Sequence, residues 1–314
     1  MSGEASSVEA AGYDHGVAVI NVLGVPSSAA SYAPGQEQAP QALREAGLLD
    51  ALTESGWQVK DAGDLTLQVW QPDRASPYAQ NLTEVSESLR ELTAAVASLR
   101  PEHERLLVLG GNCTVALGVC AGLRATGVEP SLLYIDRHFD LNTPQSTHEG
   151  ALDWMGVAHG LALDGAADEL IDALGTRPLL DPDRVSFLGV DVDDATSYEK
   201  QQVEQLHLPV VPLGDLVAMP RNSARTARDA LPNEPFAIHV YVDVLDFIDA
   251  PIAENVNGRN SGPSIQQLEE ALSELWREPT CRALSIGELN PIHAQAEPSA
   301  LPRFVNALVQ ALET

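Results

Sequence analysis

Short apolar runs alternate with longer amphipathic stretches along most of the chain, beginning near residue 17. The run VAVINVLGVP (17–26) is rich in Val and Ile and stops at Gly and Pro, which is typical of a buried strand. Residues 39–56 then place Leu and Ala at helical spacing after Pro40. This pattern predicts a strand followed by a helix, and the same alternation recurs to the C-terminus.

Further apolar runs of similar length are predicted as strands, with helical stretches such as residues 82–100 between most of them. The alternation predicts an α/β fold with a mostly parallel sheet and helices on both faces. Binding sites in such sheets lie at the carboxyl ends of the strands. The predicted strands are WQVKDAGDL (57–65), LLVLGG (106–111), SLLYID (131–136), RVSFLGVDV (184–192), LPVVPL (208–213), FAIHVYVD (236–243) and RALSIGEL (282–289).

The chain is long enough for one large core, because 44% of its 314 residues are hydrophobic. We expect a single domain over residues 16–314. Residues 1–15 are small, polar and acidic without apolar periodicity, which predicts a disordered tail.

The charge balance narrows the classes of partner. A formal net charge of −27, from 45 acidic and 18 basic residues, opposes binding to nucleic acid or to anionic membranes. We find neither an apolar run of the roughly 20 residues needed to span a bilayer nor a secretion signal, so we expect a cytoplasmic protein. The three cysteines are too few for a disulfide framework.

The strongest chemical signal is the spacing of Asp136, His138 and Asp140 at the end of the run SLLYID. In an extended chain these three side chains point to one side. Two carboxylates and one imidazole suit Mn²⁺ or a similar divalent ion. The alternative is a chance triplet in an acidic sequence that only caps a turn.

A second cluster alternates along another apolar run, where His239, Tyr241 and Asp243 share one face. The Asp243 carboxylate is costly inside a buried strand unless a cation compensates it. A cation shared with the first cluster would do so. The alternative is a charge at an exposed strand end.

Two further residues follow predicted strands. Cys113, in LGGNCTVALG, lies near the start of a helix, where a thiolate ligand is favoured, although a buried apolar cysteine is the commoner case. Glu288, in GELNP, ends the last strand, and a single acid at that position is weak evidence on its own.

Taken in order, these segments resemble the arginase (ureohydrolase) family. GGNCT stands where the family has GGDHS, and IDRHFDLNTP where it has VDAHxDxNTP. YVDVLDF stands where the family has DVDxxDP, and GELNP where it has xExNP. The opening GVPSSAASYAPGQEQAPQALREAGLL is also similar, and Cys113 together with LYIDxHxDxNTP is closest to the N-hydroxy-arginine hydrolase branch.

The resemblance implies an arginase-like three-layer sandwich, trimers or hexamers, and a pair of Mn²⁺ ions that activate water against a guanidinium carbon. Carried over by position, it implies that Glu288 holds the guanidinium and that Asn142 and Thr147 contact the α-carboxylate of the substrate. The implied metal ligands are Cys113, Asp136, His138, Asp140 and Asp243.

The departures from the family bear on activity and substrate. Tyr241 replaces an aspartate that bridges both ions, so we expect one or two ions per chain with one tightly held. Asp153 replaces the proton-shuttling histidine and is the predicted catalytic acid–base. Glu149 replaces a serine that binds the α-carboxylate. Asp193 is the candidate acid for the substrate amine, although Asp191 fits within the ambiguity of one residue.

Two hypotheses follow. The first is a metal-dependent hydrolase that cleaves a C–N bond in a guanidine, hydroxyguanidine or related amidine, with a small cationic substrate other than free arginine. The second is a catalytically silent arginase-like protein that acts as a binding or regulatory subunit.

Overall fold

The eight strands of the computed structural model form one parallel sheet in the order β2-β1-β3-β8-β7-β4-β5-β6. The structure describes residues 18–100, 104–255 and 260–313, so the predicted tail at residues 1–15 lies outside the described residues. The strands are β1 Val19–Gly24, β2 Gln58–Asp64, β3 Arg105–Leu109, β4 Ser131–Ile135, β5 Val185–Val190, β6 Val210–Pro212, β7 Phe236–Tyr241 and β8 Cys281–Gly287.

Helices cover both faces of this sheet, which confirms the predicted α/β sandwich. One face is covered by α1, α2, α8, α9, α10 and α12, and the other by α3 to α7. None of the described helices has both the length and the apolar character needed to cross a bilayer. The helices are α1 Ala39–Glu45, α2 Leu48–Glu54, α3 Leu82–Leu99, α4 Val115–Ala125, α5 Gly156–Gly160, α6 Asp168–Ala173, α7 Ser197–Leu206, α8 Leu213–Ala218, α9 Pro220–Asp229, α10 Ile265–Trp276, α11 Pro291–Ala294 and α12 Ala300–Ala311.

The predicted helix over residues 39–56 is broken into two. Gly47 has a φ of 88°, a left-handed conformation that ends a helix and that glycine adopts without a steric penalty. The two short helices that result pack Leu43 and Leu52 into the same apolar core.

Strand alternation divides the apolar residues between two cores. In β4, Leu133 and Ile135 face one core, while Leu132 and Tyr134 face the other. Period-two alternation explains this division. Tyr134 is therefore on the same face as Leu132, and Asp136 follows directly after the strand ends at Ile135.

The short helix α5 supports the loop that carries Cys113. A side chain added at Gly156 would come within 3.6 Å of the Cys113 Cβ. His159, in the same helix, is fully buried. Its Nε2 accepts a 3.0 Å hydrogen bond from the Ala167 N–H, so its Nδ1 carries the proton and donates to the Met155 carbonyl at 2.6 Å.

Burial lowers the pKa of His159 from 6.5 to about 4. Between these values the unfolded chain binds a proton that the folded chain does not, so stability rises with pH. The free energy of unfolding is therefore higher above pH 6.5 than at pH 4 by about 3 kcal/mol on account of this histidine, and this difference is lost as the pH falls from 6.5 to 4.

We therefore predict that His159→Gln flattens the pH dependence of the free energy of unfolding between pH 4.5 and 7. Urea denaturation at several pH values measures it. His207→Asn is the matched control, because His207 is exposed and Asn tolerates its left-handed φ of 55°. Equal slopes for wild type and His159→Gln would contradict the assignment.

Candidate metal centre

Asp136 and His138 lie just after β4, at the carboxyl edge of the sheet. Asp136 is fully buried, and its Oδ1 accepts a 2.7 Å hydrogen bond from the His138 N–H. The predicted extended conformation does not continue through this segment, because β4 ends at Ile135 and Asp140 has a left-handed φ of 50°. The Asp140 carboxylate therefore meets Asp136 through a turn and not through strand alternation.

Asp243 follows β7 instead of lying on it. The strand ends at Tyr241, and Asp243 belongs to the 3-10 turn Val242–Val244, so its predicted place on the strand is wrong. It is 6% exposed, so the alternative of an exposed strand end is also wrong. A carboxylate is easier to accommodate beyond the ladder than inside a strand buried on both faces.

Among the described residues, two groups of candidate ligands share Asp136. The first joins it to Cys113 and Asp140, and the second joins it to His138 and Asp243. Within each group the ligand atoms lie within 4.8 Å of one another. In the second group, His138 Nδ1 lies 3.3 Å from both Asp136 Oδ1 and Asp243 Oδ2. This oxygen and nitrogen donor set fits a divalent ion such as Mn²⁺.

The first group is less favourable for an ion. Cys113 Sγ lies 3.8 Å from Asp136 Oδ2, and the residue is 1% exposed within the apolar core. Burial and the charges of Asp140 and Asp153 raise the pKa of this thiol well above its usual value. This opposes the thiolate that the start of α4 was expected to favour.

The carboxyl groups around both sets are electrostatically costly. Burial raises the pKa of Asp136, Asp140 and Glu288, and the charge of Asp136 adds to the rise at Asp140, as Asp243 does at Glu288. A bound cation would stabilise the ionised forms of these groups.

Asp153 lies behind the site, buried to 1% exposure. Its Oδ1 accepts a 2.7 Å hydrogen bond from the Cys113 N–H, and its Oδ2 accepts a 3.5 Å hydrogen bond from Gln36 Nε2. The carboxylate also interacts with the Tyr241 hydroxyl. Asp153 is not among the described residues that line the cavity. Its predicted role as a proton shuttle stays a prediction.

His239 does not join either group of ligands. Its Nδ1 lies 2.8 Å from the Ser285 Oγ, and its ring stacks on Tyr134 with centroids 5.2 Å apart. The partner of this imidazole is thus a side-chain hydroxyl on the neighbouring strand.

Glu288 follows β8, which ends at Gly287 and not at the predicted residue 289, and its carboxylate lies at the cavity wall. It is 2% exposed and has a left-handed φ of 62°. Its Oε1 accepts a 3.0 Å hydrogen bond from the Asn255 N–H, while its Oε2 has no hydrogen-bond partner within the described part of the chain. Such an oxygen is suited to a cationic ligand.

The cavity in front of these groups has a volume of about 690 Å³. Arg137 is the only arginine or lysine among the described residues that line it. The cavity therefore favours a cation. Its acidic lining residues are Asp140, Glu149, Asp191, Asp194, Glu199 and Glu288.

The structure separates the predicted substrate contacts. Asn142 and Glu149 line the cavity, whereas Thr147 is not among the described lining residues and accepts a 3.2 Å hydrogen bond from the Glu149 N–H. Asp193 is exposed in the turn after β5, and the cavity is lined instead by Asp191 and Asp194. Which of Asp191 and Asp193 would contact a substrate amine stays a prediction.

A sequence profile of the Arginase family matches residues 18–308. The chain belongs to the arginase family. It is 27% identical over 294 residues to Arginase-1 of Sus scrofa, covering 92% of this chain and 90% of the relative. It is 28% identical over 284 residues to the arginase of Agrobacterium fabrum, covering 86% and 83%.

Solved structures agree with the fold of this family. The arginase from Bacillus cereus superposes with a TM-score of 0.82 at 25% identity, covering 94% of this chain and 98% of that one. The formimidoylglutamase from Bacillus subtilis superposes with a TM-score of 0.70 at 17% identity, covering 94% and 86%, which shows the fold alone. The protein is therefore an arginase-family hydrolase.

Two residues at the family site escaped the sequence analysis. Tyr134 donates a 2.5 Å hydrogen bond from its hydroxyl to Asp140 Oδ2. The Arg137 side chain is buried and donates to the Ser261 Oγ at 3.1 Å. Tyr134 stands within the apolar run of β4, so no local signal in the sequence separates it from a core residue.

We predict that Asp136→Ala abolishes tight binding of Mn²⁺ while the chain still unfolds cooperatively. Asp136 is shared by both ligand groups, so its loss weakens each of them. Metal analysis of the desalted protein and a urea denaturation curve measure the two effects. Asp183→Ala is the control, because Asp183 is exposed and far from β4 in sequence. Full metal content in Asp136→Ala would contradict the assignment.

Proposed function

We propose that this protein hydrolyses a C–N bond in a guanidine, hydroxyguanidine or related amidine with the help of a divalent metal ion. One observation carries the proposal: Asp136, His138 and Asp243 form a ligand set at the cavity whose wall also presents the carboxylate of Glu288. Family membership supports the same class of reaction.

The second ligand group would hold the ion. Its three donors are two carboxylates and an imidazole, and the His138 side chain is 28% exposed towards the cavity. When bound, a Mn²⁺ ion acts as a Lewis acid and activates water at neutral pH. We expect one tightly held ion per chain, because Tyr241 supplies no carboxylate at the position that bridges the ions in the family.

Glu288 would bind the cationic end of the substrate. Guanidinium groups present paired N–H donors that match a carboxylate in a forked arrangement. The Oε2 of Glu288 is buried without a hydrogen-bond partner in the described chain, so a guanidinium would satisfy it. Such a contact fixes the direction from which the guanidinium carbon is presented.

The acidic cavity supports a substrate without a free α-carboxylate. Asn142 lines the wall as a candidate contact for that group, but Glu149 lines the same cavity with a negative charge. Asp191 and Asp194 add further negative charge and suit an amine or a second cation.

No observation favours the alternative of a silent binding or regulatory subunit. The candidate ligands lie together, and His138, Asp140 and Glu288 line one cavity. A trimer or hexamer remains a prediction from the family resemblance.

We predict that the protein hydrolyses agmatine faster than arginine. Glu149→Ser should shift the ratio of the two rates towards arginine by roughly fivefold, because an exposed charge pair contributes about 1 kcal/mol. Steady-state urea release from both compounds measures the ratio. Glu204→Ser, at an exposed residue of α7, is the control.

Faster hydrolysis of arginine by the unmodified protein would refute the substrate preference. Absence of both metal binding and urea release would refute the proposed function and favour the silent subunit.

A separate prediction concerns Glu288. Glu288→Gln should lower kcat/KM for the better substrate by about tenfold to a hundredfold, because charge-assisted hydrogen bonds contribute about 1.5–3 kcal/mol. Metal content should not change, since Glu288 belongs to neither ligand group. Loss of the metal from this variant would show that Glu288 supports the ion and not the substrate.

A further inference from the structure

The Tyr134 hydroxyl lies beside the first ligand group. It donates a 2.5 Å hydrogen bond to Asp140 Oδ2. The Cys113 thiol and the Asp136 carboxylate are also within interaction range of this hydroxyl. One phenol oxygen is thus close to all three residues that could hold an ion in this group.

A row of side chains across four adjacent strands holds the Tyr134 ring in place. In register with Tyr134, Phe187 lies on β5 and His239 on β7, and Ser285 of β8 is in register with His239. Phe187 packs edge-on at 5.9 Å between centroids, and His239 stacks at 5.2 Å. His239 is in turn hydrogen-bonded to the Ser285 hydroxyl. Because Tyr134 has no solvent exposure, its hydroxyl has little room to swing away.

The hydroxyl and an ion would compete at Asp140. A metal ion held by these ligands would lie about 2.0–2.3 Å from each of them. The ligand atoms are within 4.8 Å of one another, so the space between them is about the size of one such ion. As a donor, the hydroxyl directs its hydrogen at Asp140 Oδ2, and the lone pair that accepts this hydrogen is not free for an ion.

We propose that the Tyr134 hydroxyl takes the place of the first ion of the family's pair, so that this chain binds a single divalent ion through Asp136, His138 and Asp243. The inference rests on the proposed function for the identity of the ion. It assigns Tyr134 a positioning role, because the phenol orients Asp140 and satisfies the ligand group in the absence of an ion. Tyr241 adds no carboxylate that could draw an ion into the group.

The experiment is a metal count on four forms of the full chain, loaded with Mn²⁺ and desalted. Wild type should hold one ion per chain and give the electron paramagnetic resonance spectrum of isolated Mn²⁺. Tyr241→Asp should still hold one, because the Tyr134 hydroxyl remains. Tyr134→Phe/Tyr241→Asp should hold two and give the spectrum of an exchange-coupled pair.

Tyr134→Phe/Tyr241→Phe is the matched control and should hold one ion, because it removes both hydroxyls without adding a ligand. Two ions in wild type or in Tyr241→Asp would overturn the inference, whatever the fate of the double variants. One ion in a Tyr134→Phe/Tyr241→Asp protein that has the far-UV circular dichroism of wild type and unfolds as cooperatively would also overturn it.

Turnover is a separate readout. If the chain binds one ion but releases no urea from any guanidine, the proposed function is wrong. The assignment of Tyr134 is not affected by that result.

Discussion

The burial of several carboxyl groups at one edge of the sheet is the constraint on which the rest of the site depends. None of them is more than 6% exposed, and like charges this close cannot all be ionised without a compensating cation. The sheet topology creates this crowding, because every strand is parallel and the ends of β4, β7 and β8 meet at the same edge. The groups are Asp136, Asp140, Asp153, Asp243 and Glu288.

Much of the fold and of the ligand cluster could be predicted, because apolar runs ending in acidic residues carry a strong local signal. The predictions from sequence were wrong at the positions where a strand ends. Period-two alternation continued the strands through Asp140 and Asp243, but both lie in turns beyond the ladder. Alternation describes the side to which a side chain points only while the chain stays extended. That Asp191 lines the cavity while Asp193 is exposed in the turn after β5 likewise depends on the path of a turn.

Other parts of the site depend on tertiary packing that no local pattern reports. Tyr134 stands in an apolar run and is indistinguishable there from a core residue. Its role emerges from contacts with Cys113, which lies 21 residues earlier, and with His239, which lies 105 residues later along the chain. The contacts of Asp153 also could not be predicted. Its alignment with a shuttling histidine gives no indication that its carboxylate accepts a hydrogen bond from the Cys113 N–H.

Asp140 and Glu288 both adopt left-handed backbone conformations, with φ values of 50° and 62°. Non-glycine residues in that region carry strain of order 1 kcal/mol or more. Glycine at either position would relieve the strain and remove a buried charge at the same time. A substitution that stabilised the chain at either position would therefore also alter the acidic edge of the sheet.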